Sequence, residues 1–345
     1  MSASTIPLWG QAWELTVTSA TSSGAQQTTI SYLAWQPEAL RITFEVLQAM
    51  NSSPFWFADI NIFNMDDAST QNILLNATWV TLKAGFMTGP NQPAIIWDGP
   101  VFQTLFTLEG VVDQKITLHC VANPFVMDTI VNFATGPFTS QAQLVAKMAA
   151  QIGLPPISYA QGTAGQVAQS RMAGVQYPRG KTVFGKVGKY LDQIADSNFL
   201  QNWQDGKQAY ISEVDNGGKP IDLIYSPAFP PGGIQQPANL PPGTTQSIIG
   251  TPQQIQQGVI FTVLLDPRLK VQLPPLLVQL AETQIAQMMR TPSVNSELPT
   301  VLSADLTFFV SQVRHIGDSR GNEWHTEVTG WSTGYAQALF NSVGM

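Results

Sequence analysis

Three histidines, one cysteine and a scatter of carboxylates are the residues with which this 345-residue chain could do chemistry. His315 and His325 fall on the two arms of a stretch that reads as a hairpin, with Asp318 and Glu323 between them. Cross-strand approach could let them share a metal ion, but such sites usually need three or four ligands at close range. A polar strand face accounts for the same residues more simply. No HExxH and no paired CxxC occurs. His119 precedes Cys120, yet adjacent strand residues point to opposite faces, so the two do not read as base and nucleophile. Cys120 reads instead as a core residue. There is no GxSxG elbow and no Walker A loop, and the glycine at Phe184-Gly185 does not follow a strand in a phosphate-binding arrangement. Cleavage of peptidoglycan would need two carboxylates facing a cleft. Glu213 and Asp215 are the nearest acidic pair, and they read as solvated groups at a strand end. The expectation is therefore no catalytic, cofactor-binding or metal-binding residue, and no enzyme.

Aromatic residues offer a different chemistry. Of nine tryptophans, Trp9, Trp13, Trp35, Trp56, Trp79 and Trp97 lie in the first third of the chain. Spaced aromatics can form a carbohydrate platform, but tryptophan also fills barrel cores and oligomer interfaces. The second reading is the simpler one.

The elements that position these residues change along the chain. Residues 1–125 read as β. Trp13, Leu15 and Val17 alternate with polar residues, as do Leu40, Ile42, Phe44 and Val46, then Val80, Leu82, Ala84 and Phe86, then Ile116, Leu118 and Cys120. Turn residues separate the runs at Met65-Asp66-Asp67, Thr88-Gly89-Pro90-Asn91, Asp98-Gly99-Pro100 and Glu109-Gly110. Residues 126–225 read as a small α/β unit. It has a helix over Ser140–Ile152, a second from about Thr182 to Ser197, and a hairpin over Phe199–Val214 turning at Asp205-Gly206. The second helix carries Val183, Phe184, Val187, Tyr190, Leu191, Ile194 and Ala195 as its apolar stripe. Residues 226–250 are rich in proline and glycine and read as a linker or strap without regular structure. Over 251–345 β returns. Gly258–Leu265 is a strand, any strand near Pro274-Pro275 must lie at an edge or start after them, and Ala281–Arg290 could be a short helix. Leu306, Phe308 and Val310 lead up one arm of a final hairpin, residues 317–322 turn it, and Trp324, Thr326 and Val328 return.

Composition bounds the partners. Charged residues make up 11% of the chain, against about 25% in ordinary soluble domains. Gln, Asn, Thr and Ser replace them, and neutral polar groups cost less to bury against other proteins than charges do. The formal charge of −7 and the absence of basic runs argue against phosphate binding. DNA could still pass a neutral or acidic surface without adhering to it. A single cysteine forms no disulfide within the chain, and residues 1–10 carry no signal-peptide pattern, so synthesis in the cytoplasm is expected. No run approaches the ~18–20 apolar residues of a membrane helix.

The order of these motifs resembles a known family. Val313 to Trp324 followed by Val328-Thr329-Gly330-Trp331 resembles the closing hairpin of bacteriophage baseplate hub proteins. Ile249 to Gln253, Gly258-Val259 and Leu264-Leu265-Asp266-Pro267 resemble the strand that reopens their second tube-type domain. Phe184 to Val214 looks like their intervening α/β unit. The nearest relatives by motif order are hubs of contractile-tailed phages, including the late control protein D family; long non-contractile tails use related hubs. The resemblance covers most of the chain. It implies a β-rich α+β fold in which two tube-type antiparallel β-barrel-like domains (1–125 and 251–345) flank a small α/β domain (126–225), with the strap at 226–250. It further implies a homotrimer with pseudo-sixfold symmetry in the virion tail baseplate, joining a sixfold tail tube to a threefold central spike. Its partners would be the tail tube protein, the central spike protein, other baseplate proteins and the tape measure protein. DNA would cross its lumen without specific binding. A carbohydrate- or receptor-binding tail protein and a peptidoglycan hydrolase are the alternatives.

Overall fold

A computed structural model of the chain describes residues 10–21, 24–33, 40–49, 56–87, 90–109, 113–122, 129–153, 158–159, 163–198, 200–205, 208–212, 221–227, 241–255, 258–272, 275–281 and 306–332. The first block holds β1 (Gln11–Thr21), β2 (Gly24–Leu33), β3 (Ile42–Ala49), β4 (Phe57–Phe63), helix α1 (Asp67–Asn76), β5 (Ala77–Phe86), β6 (Ala94–Glu109) and β7 (Asp113–Val121). A middle unit holds β8 (Ile130–Ala134), β9 (Thr139–Ser140), α2 (Gln141–Gln151), β10 (Ser158–Tyr159), α3 (Thr163–Gly174), β11 (Gln176–Tyr177), β12 (Thr182–Lys186), α4 (Val187–Ser197), β13 (Gln201–Asp205) and β14 (Gln208–Ser212). The remainder is β15 (Leu223–Pro227), β16 (Thr244–Ile255), β17 (Gly258–Leu264), β18 (Leu277–Leu280), β19 (Thr307–Asp318) and β20 (Trp324–Ser332).

Period-two alternation turns directly into a two-faced sheet. In β3, Ile42, Phe44 and Val46 are buried while Thr43, Glu45 and Leu47 are half-buried on the other face. Val80, Leu82, Ala84 and Phe86 in β5, and Ile116, Leu118 and Cys120 in β7, are buried as their spacing predicts. The strands join in a 13-stranded sheet of order β18-β15-β16-β17-β20-β19-β3-β4-β7-β6-β5-β1-β2. An additional β18–β19 pairing closes β15–β20 into a six-stranded barrel. From β19 the sheet passes into the first block through an antiparallel β19–β3 pairing that sets His315 opposite Val46. One continuous core runs through both blocks, from Leu15, Phe44 and Leu118 to Phe261, Phe308 and Val328.

The middle unit has its own core, built on Leu144, Val145 and Met148 from α2 and Val187, Leu191 and Ile194 from α4. Ser140 starts α2 with a capping box: its hydroxyl accepts from the Gln143 N–H, and the Gln143 side chain accepts from the Ser140 N–H. The predicted hairpin is present, with Gln201 opposite Ser212 and Asp205 opposite Gln208.

Several expectations need correction. The second helix starts at Val187, not Thr182. Residues 182–186 form β12, paired with β8, and Phe184 lies exposed on that ribbon rather than on a helical stripe. The strap is partly regular. Ser226 and Pro227 end β15, and Thr244 onward forms β16, parallel to it. The turn at Asp66 is the start of α1, whose N-cap Asp66 accepts from the Ser69 N–H. Helix α3, Thr163–Gly174, has no counterpart in the sequence reading. The strand expected near Pro274-Pro275 does begin after both, as one of the two stated options required: β18 starts at Leu277 and lies inside the closed barrel. The short helix expected over Ala281–Arg290 falls outside the described residues after Ala281.

Candidate functional site

The histidines part company in the final hairpin. β19 and β20 pair His315 with Thr326 and Ile316 with His325, so the two imidazoles lie on opposite faces. A β-bulge between Val310 and Gln312 sets this phase: Phe308 and Val310 face the core before it, Val313 and His315 after it. His315 is therefore fully buried rather than part of a polar face. Its Nδ1 lies 2.9 Å from the Thr326 hydroxyl, its Nε2 has no partner, and burial pushes its pKa down to about 4. His325 faces outward, 4.0 Å from Glu327. Asp318 is held by Arg41 instead, with Nη2 donating over 2.8 Å, a contact that keeps the carboxyl below the usual range despite its partial burial. No group of three metal-ligating side chains occurs among the described residues.

His119 and Cys120 also separate by face. His119 pairs outward with Asp59 at 2.6 Å, while Cys120 is fully buried. Burial, then the nearby Asp59 charge, holds the Cys120 thiol far above its ordinary pKa, so no thiolate is present to react. Glu213 and Asp215 lie outside the described residues, as do Trp9 and Trp35. Trp13, Trp56 and Trp97 are buried in the core, and the Trp79 indole N–H donates to Asp98 over 2.6 Å. These rings fill the fold and do not form an open platform.

What the residues do build is a junction between the two β blocks. Asp266, fully buried after β17, accepts from the Tyr225 hydroxyl at 2.7 Å and from Arg268 Nη2 at 2.6 Å. Arg268 Nη2 also donates to Asn91 Oδ1 in the first block, 3.0 Å away, and Asn91 Nδ2 donates back to the Leu265 carbonyl over 3.2 Å. Burial and the Asp266 carboxylate together push the Tyr225 hydroxyl well above its usual pKa, so it stays a donor. Trp324 crosses the same boundary. Its indole N–H donates to the Gly85 carbonyl over 3.1 Å, and its ring meets Phe44 edge-on at 5.3 Å.

On the outer face, Arg314 of β19 stitches three strands. It donates to Glu45 of β3 over 2.8 Å and to Glu327 of β20 over 2.9 Å. A ladder continues across the face: Asn61 donates to Thr43, and Thr117 donates to Asn61. Lys83 pairs with Glu14, Lys115 with Glu109 and Arg41 with Asp318, so these cations are all matched to carboxylates. Among the described residues, these contacts join strands and blocks and match charges across the surface.

No family model matches the sequence, and no curated protein does. Solved structures do match. A tail protein from Neisseria meningitidis superposes with a TM-score of 0.53 at 11% identity, over 95% of this chain and 98% of that one. The chain shares the fold of that tail protein. A chain of the Francisella PdpA-VgrG complex in its half-lidded form matches with a TM-score of 0.50 at 8% identity, over 94% of this chain and 58% of that one. The lidless PdpA-VgrG complex matches at 0.51 and 8%, over 95% of this chain and 66% of that one.

Proposed function

We propose that this chain is a structural hub of a phage tail baseplate, a trimer in the virion that joins the sixfold tail tube to the threefold central spike. The reading rests above all on the likeness to the Neisseria tail protein, which extends over 95% of this chain and nearly all of the other. The absence of a reactive constellation among the described residues and the core that runs through both β blocks support a load-carrying role. Each copy would supply two tube-type units, 1–125 and 251–345, with residues 126–225 as the peripheral α/β unit and 226–250 as the strap between. Three copies would then present six such units to the tube. The tail tube, spike, tape measure and other baseplate proteins are the expected partners.

The outer face suits a conduit for DNA. Among the described residues, Arg314, Lys83, Lys115 and Arg41 are closed by carboxylates, and Asp59 and Asp98 add further negative charge, so a polyanion finds little to adhere to there. The test is to isolate tails carrying a tagged copy of the chain and image their tips. Density for three copies between tube and spike supports the proposal; a tagged chain that never enters a tail contradicts it.

A further inference from the structure

The middle unit breaks the pattern of matched charge. Residues 129–198 carry six lysines and arginines against two aspartates, a net charge of +4 in a chain whose formal charge is −7. In the β blocks, Arg41, Lys83, Lys115, Arg268 and Arg314 each reach a carboxylate. In the middle unit, the Lys147 ammonium lies instead 5.0 Å from the centre of the Phe133 ring, and the Lys181 ammonium 5.3 Å from that of Tyr177. Lys181 is exposed, and no described carboxylate reaches it.

Lys181 stands at the rim of a pocket of about 220 Å³. One face of α4 supplies Tyr190, Gln193, Ile194 and Ser197, at the spacing of a helical stripe. Helix α2 supplies Gln141 and Leu144, and β11 supplies Tyr177. Leu144 and Ile194 are buried, so the floor is apolar. The rim is polar and partly preset. Asn198 Nδ2 donates to Gln141 Oε1 over 2.6 Å, which turns the Gln141 amide N–H toward the Tyr177 hydroxyl, 3.5 Å away. Asp192 and Asp196, the carboxylates of α4, do not line the pocket.

Two exposed phenylalanines flank it. The Phe138 N–H donates to the Tyr177 carbonyl over 2.8 Å. The Tyr190 hydroxyl accepts from the Phe184 N–H and donates to the Phe184 carbonyl, at 3.2 Å each. Each phenylalanine is thus tied by its backbone to one tyrosine of the pocket wall. Phe138 is 67% exposed and Phe184 69%. Phe138 also has a φ of 60°, a left-handed conformation usually left to glycine or asparagine. A bulky aromatic held in water at such a place contributes little to the fold's own packing and suits an outside contact.

We propose that this pocket docks an acidic peptide segment of a partner protein, with a glutamate seated in it and apolar neighbours resting on Phe138 and Phe184. The methylene stem of a glutamate lies against Leu144 and Ile194, and its carboxylate meets the Lys181 ammonium and the polar rim. The positive charge of the unit favours that acidic partner. Pockets for drug-sized ligands run to about 300–1,000 Å³, so this smaller one fits a single side chain. Its apolar floor disfavours an acidic sugar, whose hydroxyls would be buried there without partners. The site lies wholly within the middle unit and does not rest on the hub reading.

The test is fluorescence anisotropy on the full chain. The probes are fluorescein-labelled peptide amides of sequence Leu-Glu-Phe and Phe-Glu-Leu, and the controls carry Gln in place of Glu. At least one probe should bind about tenfold tighter than its control, the worth of one charge-assisted contact, and the preference should shrink in about 1 M salt. Lys181→Gln should bring probe and control level. Phe138→Asn with Phe184→Thr should weaken both by about tenfold, with the circular dichroism melt unchanged. Equal binding of probes and controls, no binding of either, or a preference that survives Lys181→Gln overturns the proposal. So does displacement of the probe by glucuronic acid at lower concentration than by N-acetylglutamate amide, which would mark a sugar site. A chain that binds the probes but never enters tails would sink the hub reading alone.

Discussion

Replacing Asp266 by alanine should loosen both β blocks at once. The carboxylate is fully buried and answers three donors: the Tyr225 hydroxyl, the Arg268 guanidinium and the Arg268 backbone N–H. Its removal leaves a phenol hydroxyl sealed from water and a guanidinium with only Asn91 and Thr245 as described side-chain partners. Breaking a buried pair from one side costs about 3–5 kcal/mol. The Arg268 side chain keeps 33% exposure, so water recovers part of that loss and the low end, about 3 kcal/mol, applies. At about 2–4 °C per kcal/mol for a unit of this size, the melting temperature should fall by about 6–12 °C. Asp266→Asn keeps one acceptor and should lose about half as much. The assay is differential scanning calorimetry with near-ultraviolet circular dichroism on the same samples. Arg268 is bonded to Asn91 of the first block, so the shift should move the tryptophan signal of both blocks together. A melting temperature within about 2 °C of wild type, or a shift confined to one block, would refute the junction.

Other outcomes follow from the same contacts. His315 has its pKa depressed to about 4 in the fold, against 6.5 as the ordinary value, so the unfolded chain binds more protons between these values and stability falls as pH drops through that window. Wild type should lose about 2 kcal/mol more than His315→Gln between pH 7 and pH 5 in urea titrations, at 1.36 kcal/mol per pKa unit. Equal slopes for the two proteins would contradict the buried, neutral imidazole. Arg314→Ala should cost about 0.5–1 kcal/mol, because its partners are more than a third exposed, and the cost should shrink in 1 M salt. Ser140→Ala should cost the middle unit about 1 kcal/mol, seen as faster amide exchange in α2 with the large sheet unaffected. Gly317→Ala drives a methyl group into the Phe44 ring and should destabilise by about 1–3 kcal/mol in the same melts.

Much of the fold was legible because alternation is a local signal. The buried sets of β3, β5 and β7 could be picked out by spacing alone, and so could the α2 face, since a side chain's face depends only on its neighbours in sequence. Helix starts were harder. Asp66 reads as a turn because the same oxygen that caps a helix also makes turns, and α1 buries only Thr70 and Ile73, too few for a stripe. Val183 and Phe184 fit a helical period by coincidence, and only their pairing with β8 makes them a strand. The burial of His315 depended on a one-residue bulge that no spacing rule places. The junction was invisible for a different reason. Asn91 and Arg268 lie 177 residues apart, and nothing local to either marks the other as its partner.

A trimeric hub between tube and spike is best checked by counting its copies in purified tails through imaging of tagged particles. Three copies in each tail, arranged about the tail axis at its tip, are expected. Six copies, one copy, or a position along the tube shaft would contradict it.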